Sequence, residues 1–194
     1  MRLFVAVELD DAVRREAAGV AAALAAVLER GGGRPIVTWV APQNLHLTLQ
    51  FLGEVDAPLA RIVVERLTPP FALPTFDVAL AGLGAFPPSG PPRVIWLGVT
   101  KGADALAAVY REVDHRLEGL GFARDDRPFR AHLTLGRVKA PLSPRFRDIL
   151  AGVRTTSGTH CRADHITLFE SLLSRNGSTY SVIMTSRLGY HHTS

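Results

Sequence analysis

The chain has 194 residues, of which 47% are hydrophobic and 21% charged, a balance typical of one globular domain or of two small lobes sharing a core. No apolar run reaches the roughly 18 residues of a membrane-spanning helix, so the sequence predicts no membrane anchor. The formal net charge is +4 and nearly all basic residues are arginine. That composition suits an anionic partner such as RNA or a nucleotide, but it is equally typical of a GC-rich coding sequence.

The first half of the chain predicts strands alternating with helices. Asp10 or Asp11 caps a first helix that Gly31–Gly33 ends, and Pro58 marks the start of the second. Gly82–Gly84 resembles the beginning of a dinucleotide fingerprint but lacks its third glycine, so we interpret it as a turn. A proline-rich loop is predicted at 86–92. The predicted strands are 3–9, 36–40, 44–52 and 75–81, and the predicted helices are 12–30 and 58–67.

The second half predicts a similar order of elements. Ser143 and Pro144 are typical of a helix start, and Asn176-Gly177 predicts a tight turn in a closing hairpin. The predicted helices are 102–119 and 143–150, and the predicted strands are 94–99, 131–138, 165–171 and 180–186. This order favours an α+β fold with mostly antiparallel sheets. No low-complexity linker interrupts the chain, so we expect a single domain over residues 1–194.

The most informative feature is the tetrapeptide His-Leu-Thr-Leu, which occurs at His46–Leu49 and again at His132–Leu135. The copies lie 86 residues apart, a little under half of the chain, so they predict two related lobes. Residues i and i+2 of a strand share one face. Each histidine therefore shares a face with the threonine that follows it, while the leucines face the core.

Paired histidines and paired hydroxyls are suited to the cleavage of a phosphodiester. A neutral imidazole removes a proton from the attacking water, and a protonated imidazole donates one to the departing oxygen. Threonine hydroxyls stabilise charge on the nonbridging oxygens. Because the protein supplies both acid and base, this chemistry requires neither a metal nor another cofactor.

With these motifs the chain resembles the 2H phosphoesterase superfamily, and most closely the RNA 2′,3′-cyclic phosphodiesterases, also known as 2′-5′ RNA ligases. The resemblance also rests on the segments 2–7, 39–55, 86–87 and 127–137. Ala131 departs from the proline that the family usually has before its second histidine. The family implies a bilobal α+β fold of two pseudo-symmetric lobes, with helices on the outer faces and the active cleft between the lobes.

The resemblance also implies a role for individual residues and a reaction that opens a 2′,3′-cyclic phosphate to a 2′-phosphate. Two histidines would be catalytic, with His46 as the acid and His132 as the base. Three side chains would bind the phosphate and two would hold the nucleobase. The phosphate-binding residues are Thr48, Thr134 and Arg137, and the nucleobase-binding residues are Phe51 and Arg130.

Phe51 and Arg137 each lie five residues after a motif histidine, an odd offset that places them on the leucine face of a regular strand. To reach the cleft, each strand must bulge or end after the Thr-Leu pair. Gly136 is a suitable place for such a bulge.

Several alternatives remain open at this level. The same site could join RNA ends through a 2′-5′ bond or open a cyclic phosphate on an ADP-ribose derivative, or the protein could bind RNA or nucleotides without turnover. His160, Cys161 and His165 offer three ligands of a zinc site without a fourth. We expect a monomer that acts on RNA ends or nucleotides and contacts no membrane. A single cysteine, Cys161, makes the cytoplasm the default location.

Overall fold

The computed structural model describes residues 1–28, 36–122, 128–142, 145–155, 160–174 and 177–189. The helices in this part are α1 (Asp11–Leu28), α2 (Ala57–Leu67), α3 (Ala103–Arg116) and α4 (Phe146–Gly152), with a 3-10 helix at Pro42–Asn44. The strands are β1 (Arg2–Glu8), β2 (Val37–Trp39), β3 (His46–Glu54), β4 (Phe76–Phe86), β5 (Val94–Lys101), β6 (His132–Val138), β7 (His160–Ala163), β8 (His165–Ser174) and β9 (Gly177–Arg187). Within these ranges no helix is long and apolar enough to cross a membrane.

The strands form two antiparallel sheets, which confirms the predicted α+β class and its two-lobed arrangement. A four-stranded sheet has the order β3-β1-β8-β9, and a five-stranded sheet has the order β2-β6-β5-β4-β7. The sheets are not simply the two halves of the sequence. The early strands β2 and β4 belong to the five-stranded sheet, whereas the last two strands complete the four-stranded one. Each sheet thus holds one His-Leu-Thr-Leu strand, β3 or β6.

The leucines of the two motifs join one hydrophobic core shared by both sheets and by the helices. Leu47, Leu133 and Leu135 are almost completely buried there. The two long helices cover the opposite sheets, since α1 contacts β6 and α3 contacts β3. The other face of the four-stranded sheet carries a separate small cluster, built on Phe4 and Phe169. The helices therefore cover the leucine faces, and the histidine faces are left open.

A β-bulge in β3 brings Phe51 onto the histidine face. The pairing of β1 with β3 shifts register twice, between Leu3 and Phe4 and between Val5 and Ala6. As a result, three alternate residues of β1, which must share one face, each stand opposite a predicted site residue. Glu8 faces His46, Ala6 faces Thr48, and Phe4 faces Phe51.

The second motif strand, β6, contains a bulge with the same effect. The register between β5 and β6 shifts between Ile95 and Trp96, at the position of Leu135 and Gly136. Three alternate residues of β5 again stand opposite the predicted site residues: Gly98 faces His132, Trp96 faces Thr134, and Val94 faces Arg137. The bulges that the odd spacing required are confirmed, and that of β6 lies at Gly136.

Three local predictions are wrong. Gly82–Gly84 is not a turn but the bulged middle of β4, where Gly82 adopts a φ of +76° that glycine tolerates. Phe86 consequently belongs to a strand rather than to the proline-rich loop. Asn44 lies in the 3-10 helix, not in the strand that follows it. The strand β7 is not predicted, because four residues are too few to show a clear alternation.

Some predicted signals lie outside the described residues. These are the glycines that end the first helix, the Ser143-Pro144 helix start, Asn176 of the hairpin turn and Arg127 in the segment of family resemblance. The hairpin strands on either side of that turn are described, and both are longer than predicted.

Substitution of Gly136 tests the packing at the β6 bulge. A Cβ atom there would lie 2.6 Å from Val37 Cγ1 and 3.0 Å from Trp39 Cε3. We therefore expect Gly136→Ala to lower the free energy of unfolding by about 1–3 kcal/mol, measured by urea denaturation. Gly19→Ala is the control, because Gly19 lies inside α1 with open space around it. Gly19→Ala should instead raise the free energy of unfolding, by up to about 1 kcal/mol. A Gly136→Ala protein as stable as the unmodified one would contradict this account.

Candidate active site

The backbone fixes the imidazole of His46. Its Nδ1 lies 2.7 Å from the carbonyl oxygen of Asn44, two residues earlier. A carbonyl can only accept a hydrogen bond, so Nδ1 is the protonated nitrogen and Nε2 is left for chemistry. The Asn44 amide donates in turn to the carbonyl of Ser178 on β9, at 2.6 Å. The ring stacks on Phe4 with 4.8 Å between centroids and meets the edge of Tyr180 at 5.3 Å.

His132 is held by an equivalent hydrogen bond. Its Nδ1 lies 2.7 Å from the carbonyl oxygen of Arg130, also two residues earlier. The neighbouring rings are Phe86, with 5.1 Å between centroids, and Trp96, at 6.3 Å. Gly84 makes room for the indole, since a Cβ atom there would lie 2.2 Å from a carbon of the Trp96 ring. Both motif histidines therefore have the same tautomer, with the proton on Nδ1.

The two motif strands lie next to each other where the sheets meet. Cα atoms of β3 and β6 approach within 8 Å, and both imidazoles are only partly accessible to solvent. Thr48 and Thr134 share the faces of their histidines and are half-buried. In the described part of the chain, neither threonine hydroxyl makes a hydrogen bond. Both are thus available to a ligand.

The electrostatic surroundings of the two histidines differ. Burial lowers the pKa of His46 to about 4, although the Asn44 hydrogen bond and the Glu8 carboxylate oppose this effect. Burial also lowers the pKa of His132. There the Arg130 carbonyl opposes the effect, and the positive charge of Arg137 adds to it. One imidazole thus has a carboxylate beside it and the other a guanidinium.

The remaining predicted residues occupy less enclosed positions. The Phe51 side chain is 61% exposed, with its ring 6.0 Å from that of Phe4. Arg137 is exposed on β6, where Val94 and Thr38 are its partners on the two adjacent strands. Arg130 has an exposed side chain, and its carbonyl is the group that holds His132. Phe51 thus lies next to the site, beside the ring of Phe4, whereas Arg130 contributes its backbone carbonyl.

A pocket of about 310 Å³ opens beside His46, at the end of β3 opposite to Phe51. Such a volume lies at the lower end of the range usual for small-ligand sites. The lining combines apolar rings with polar and charged groups. It includes Glu8, Arg14, Asn44, Phe169 and Tyr180.

Several residues of the site are not predicted from the motifs. Phe4 and Tyr180 surround His46, and Phe86 and Trp96 surround His132. Glu8 lies directly opposite His46. The signal that could have found Phe4 and Glu8 is the alternation of β1, which becomes informative only once its register against β3 is known.

The three residues considered as zinc ligands are placed differently from one another. His160 is exposed on β7, whereas Cys161 is buried on the other face of the same strand. Both ring nitrogens of His165 face carboxylates, those of Asp164 and Glu8. Among the described residues, no group of three or more His, Cys, Asp or Glu side chains could hold a metal ion.

Comparison with known families explains the repeated motif. The family model "LigT like Phosphoesterase" matches residues 7–96 and, a second time, residues 97–180. The chain belongs to this phosphoesterase family. The resemblance to 2H phosphoesterases that the motifs indicated is thus confirmed, and each match to the family model contains one of the two His-Leu-Thr-Leu strands.

Similar proteins cover nearly the whole chain. An RNA 2′,3′-cyclic phosphodiesterase of Archaeoglobus fulgidus is 40% identical over 93% of this chain and 96% of its own length. A protein of the same name from Methanocaldococcus jannaschii is 32% identical over 94% and 98%. Among solved structures, TT0787 of Thermus thermophilus superposes with a TM-score of 0.71 at 30% identity, over 98% of this chain and 100% of that one. E. coli LigT complexed with 3′-AMP gives the same TM-score at 24% identity over 96% and 97%, and supports the fold.

The lowered pKa of His46 predicts a specific loss of stability in acid. The unfolded chain binds a proton below pH 6.5 but the folded one only near pH 4, so the free energy of unfolding falls as the pH drops through this window. A shift of this size corresponds to about 3 kcal/mol. We expect His46→Gln to lose less stability than the unmodified protein between pH 7 and pH 4.5 in urea denaturation.

The exposed His115 on α3 provides the matched control, and His115→Gln is expected to lose as much stability as the unmodified protein. Identical losses in all three proteins would show that burial of His46 does not set the acid sensitivity.

Proposed function

We propose that the protein hydrolyses the 2′,3′-cyclic phosphates of RNA ends or nucleotides to 2′-phosphates, with His46 and His132 as general acid and base. The observation that carries this proposal is the identical support of the two imidazoles. Each has its Nδ1 bonded at 2.7 Å to the carbonyl two residues earlier, which leaves two Nε2 atoms for proton transfer. Relatives that match over nearly the full length and carry the name RNA 2′,3′-cyclic phosphodiesterase support the choice of substrate.

The reaction needs one imidazole neutral and one protonated. Near pH 7 burial keeps both neutral in the unliganded protein, because both pKa values are lowered. A cyclic phosphodiester carries one negative charge, and its arrival between the two rings favours the uptake of a single proton. The neutral imidazole then takes a proton from the attacking water, while the protonated one donates to the departing O3′.

The neighbouring charges support His132 as the base and His46 as the acid. Burial, together with the positive charge of Arg137, disfavours a positive charge on His132, so that ring stays neutral and can accept a proton. The carboxylate of Glu8 favours a proton on His46, although burial outweighs it in the unliganded protein and lowers the pKa of His46 to about 4. Water would therefore attack from the His132 side.

The threonines and Arg137 would stabilise the phosphate. Both hydroxyls share the faces of the histidines, so each can donate to a nonbridging oxygen as charge builds up there. Arg137 lies on the same face as Thr134, and its guanidinium can form two parallel hydrogen bonds with phosphate oxygens. Because the protein supplies the acid, the base and the anion-binding groups, no metal has a required role in this mechanism.

The nucleobase would stack on Phe51, with Arg130 on its other side. The exposure of the Phe51 ring favours this role, because exposed aromatic faces bind bases by stacking. The proposal includes a monomer, since one chain supplies both motif strands. It also places the protein in the cytoplasm, where its only cysteine, the buried Cys161, would stay reduced.

Removal of either imidazole tests the chemistry. We expect His46→Ala and His132→Ala each to lower kcat on a 2′,3′-cyclic nucleotide by about 10²–10⁴-fold, since each loses one proton-transfer step. The unmodified enzyme should keep its full rate in EDTA. His115→Ala, at an exposed position on α3, is the control and should retain normal turnover. Normal turnover in His132→Ala, or loss of activity on chelation, would contradict the mechanism.

Truncation of Phe51 tests where the base binds. Phe51→Ala should raise KM for a 2′,3′-cyclic nucleotide about 5- to 100-fold with little change in kcat, since stacking contributes about 1–3 kcal/mol per base. The exposed Ile62 on α2 offers a matched control, and Ile62→Ala should leave both constants unchanged. An unchanged KM in Phe51→Ala would place the base elsewhere, for example in the pocket beside His46.

A further inference from the structure

We propose that Glu8, held by His165 and Thr167, is a positioning residue that favours a proton on His46 against the opposing effect of burial, and so supports His46 as the general acid. This inference rests on the proposed function and adds to it a carboxylate that faces one imidazole and not the other. Neither Glu8 nor His165 belongs to the repeated motif.

The register of the four-stranded sheet brings Glu8 close to His46. The two residues are direct partners across β1 and β3, and both line the pocket beside His46. Side chains that face each other in this way have Cβ atoms about 4.5–5.5 Å apart. A negative charge at that distance favours a proton on the imidazole.

Two hydrogen bonds hold the Glu8 carboxylate. Its Oε2 accepts a hydrogen bond from the Thr167 hydroxyl at 2.8 Å and lies 3.3 Å from His165 Nε2. The other ring nitrogen of His165 bonds to the carboxylate of Asp164. Burial lowers the pKa of His165, but the hydrogen bonds to Asp164 and Glu8 outweigh it and raise the pKa above its usual value. Below that pKa the His165 ring is a cation. Its positive charge partly neutralises the Glu8 carboxylate that faces His46.

Other charged groups near His46 do not replace Glu8. Arg14 of α1 lines the same pocket, but its guanidinium is paired with Asp11 at 2.7 Å. The 3-10 helix contributes the neutral side chains of Gln43 and Asn44, and β9 contributes the phenol of Tyr180. Glu8 is therefore the carboxylate of this pocket that faces the imidazole.

The five-stranded sheet has no counterpart of Glu8 at the matching position. The residue opposite His132 is Gly98, and a Cβ atom there would lie 2.9 Å from the carbonyl oxygen of Ala81. The backbone of β4 thus leaves no room for a side chain at position 98, directly opposite His132. The pseudo-symmetric site becomes asymmetric at this pair of positions.

The test measures the pKa values of both catalytic histidines by NMR titration. The titrations use the free protein and the protein saturated with sulfate, a phosphate mimic whose charge is constant over this pH range. Glu8→Gln keeps the shape of the side chain and removes its charge, so we expect the pKa of His46 to fall by about half a unit to one unit. His165→Gln removes the neutralising cation and should raise the pKa of His46. The pKa of His132 should stay constant in both variants.

The matched control is Glu54→Gln, which removes the same charge from the exposed far end of β3 and should leave the pKa of His46 unchanged. In kinetics, the alkaline limb of the kcat profile should move to lower pH in Glu8→Gln and to higher pH in His165→Gln. Shifts of opposite sign are not expected from a loss of structure alone, and His165→Gln keeps the test decisive if Glu8→Gln does not fold.

Different failures have different meanings. An unchanged His46 pKa in an active Glu8→Gln enzyme, or an equal loss of rate at every pH, would overturn the role of Glu8 and leave the proposed function intact. The absence of turnover in the unmodified protein would overturn the proposed function, and with it the positioning role of Glu8.

Discussion

The site depends on one hydrogen bond, made twice. In each motif the histidine Nδ1 donates to the carbonyl two residues earlier, at 2.7 Å for both His46 and His132. This bond fixes the tautomer and the orientation of the ring, because an imidazole whose Nδ1 is engaged can exchange protons only through Nε2. The aromatic neighbours then limit where the ring can move and reduce its contact with water. Burial lowers the pKa of both imidazoles, whereas the hydrogen bond to the carbonyl oxygen acts in the opposite direction.

The bulges determine which residues accompany the histidines. Without them, alternation would turn Phe51 and Arg137 toward the core. With them, one side of β3 presents a histidine, a threonine and an aromatic ring, and one side of β6 presents a histidine, a threonine and an arginine. The same chemistry is thus repeated at the centre, while the outer residues differ. That difference gives the two ends separate roles in the proposed function, one toward the base and one toward the phosphate.

The sequence predicts much of this arrangement because the repeat and its strand alternation are local signals. The motif strands, the leucine core and the need for bulges before Phe51 and Arg137 all follow from spacing. The register between strands does not, because it depends on contacts between residues far apart in the chain. For that reason the sequence pattern does not identify Glu8, Phe4 and Tyr180 as site residues. The bulged glycine Gly82 misleads for a related reason, since a positive φ suits a turn and a bulge equally well.

The central claim is that two imidazoles direct water to a 2′,3′-cyclic phosphate and release O3′. The most direct measurement is hydrolysis of a 2′,3′-cyclic nucleotide in ¹⁸O-labelled water containing EDTA, with the product identified by phosphorus NMR and mass spectrometry. The account predicts a 2′-phosphate as the only product, with one ¹⁸O atom on phosphorus. A 3′-phosphate, a product without label or no reaction in EDTA would contradict it.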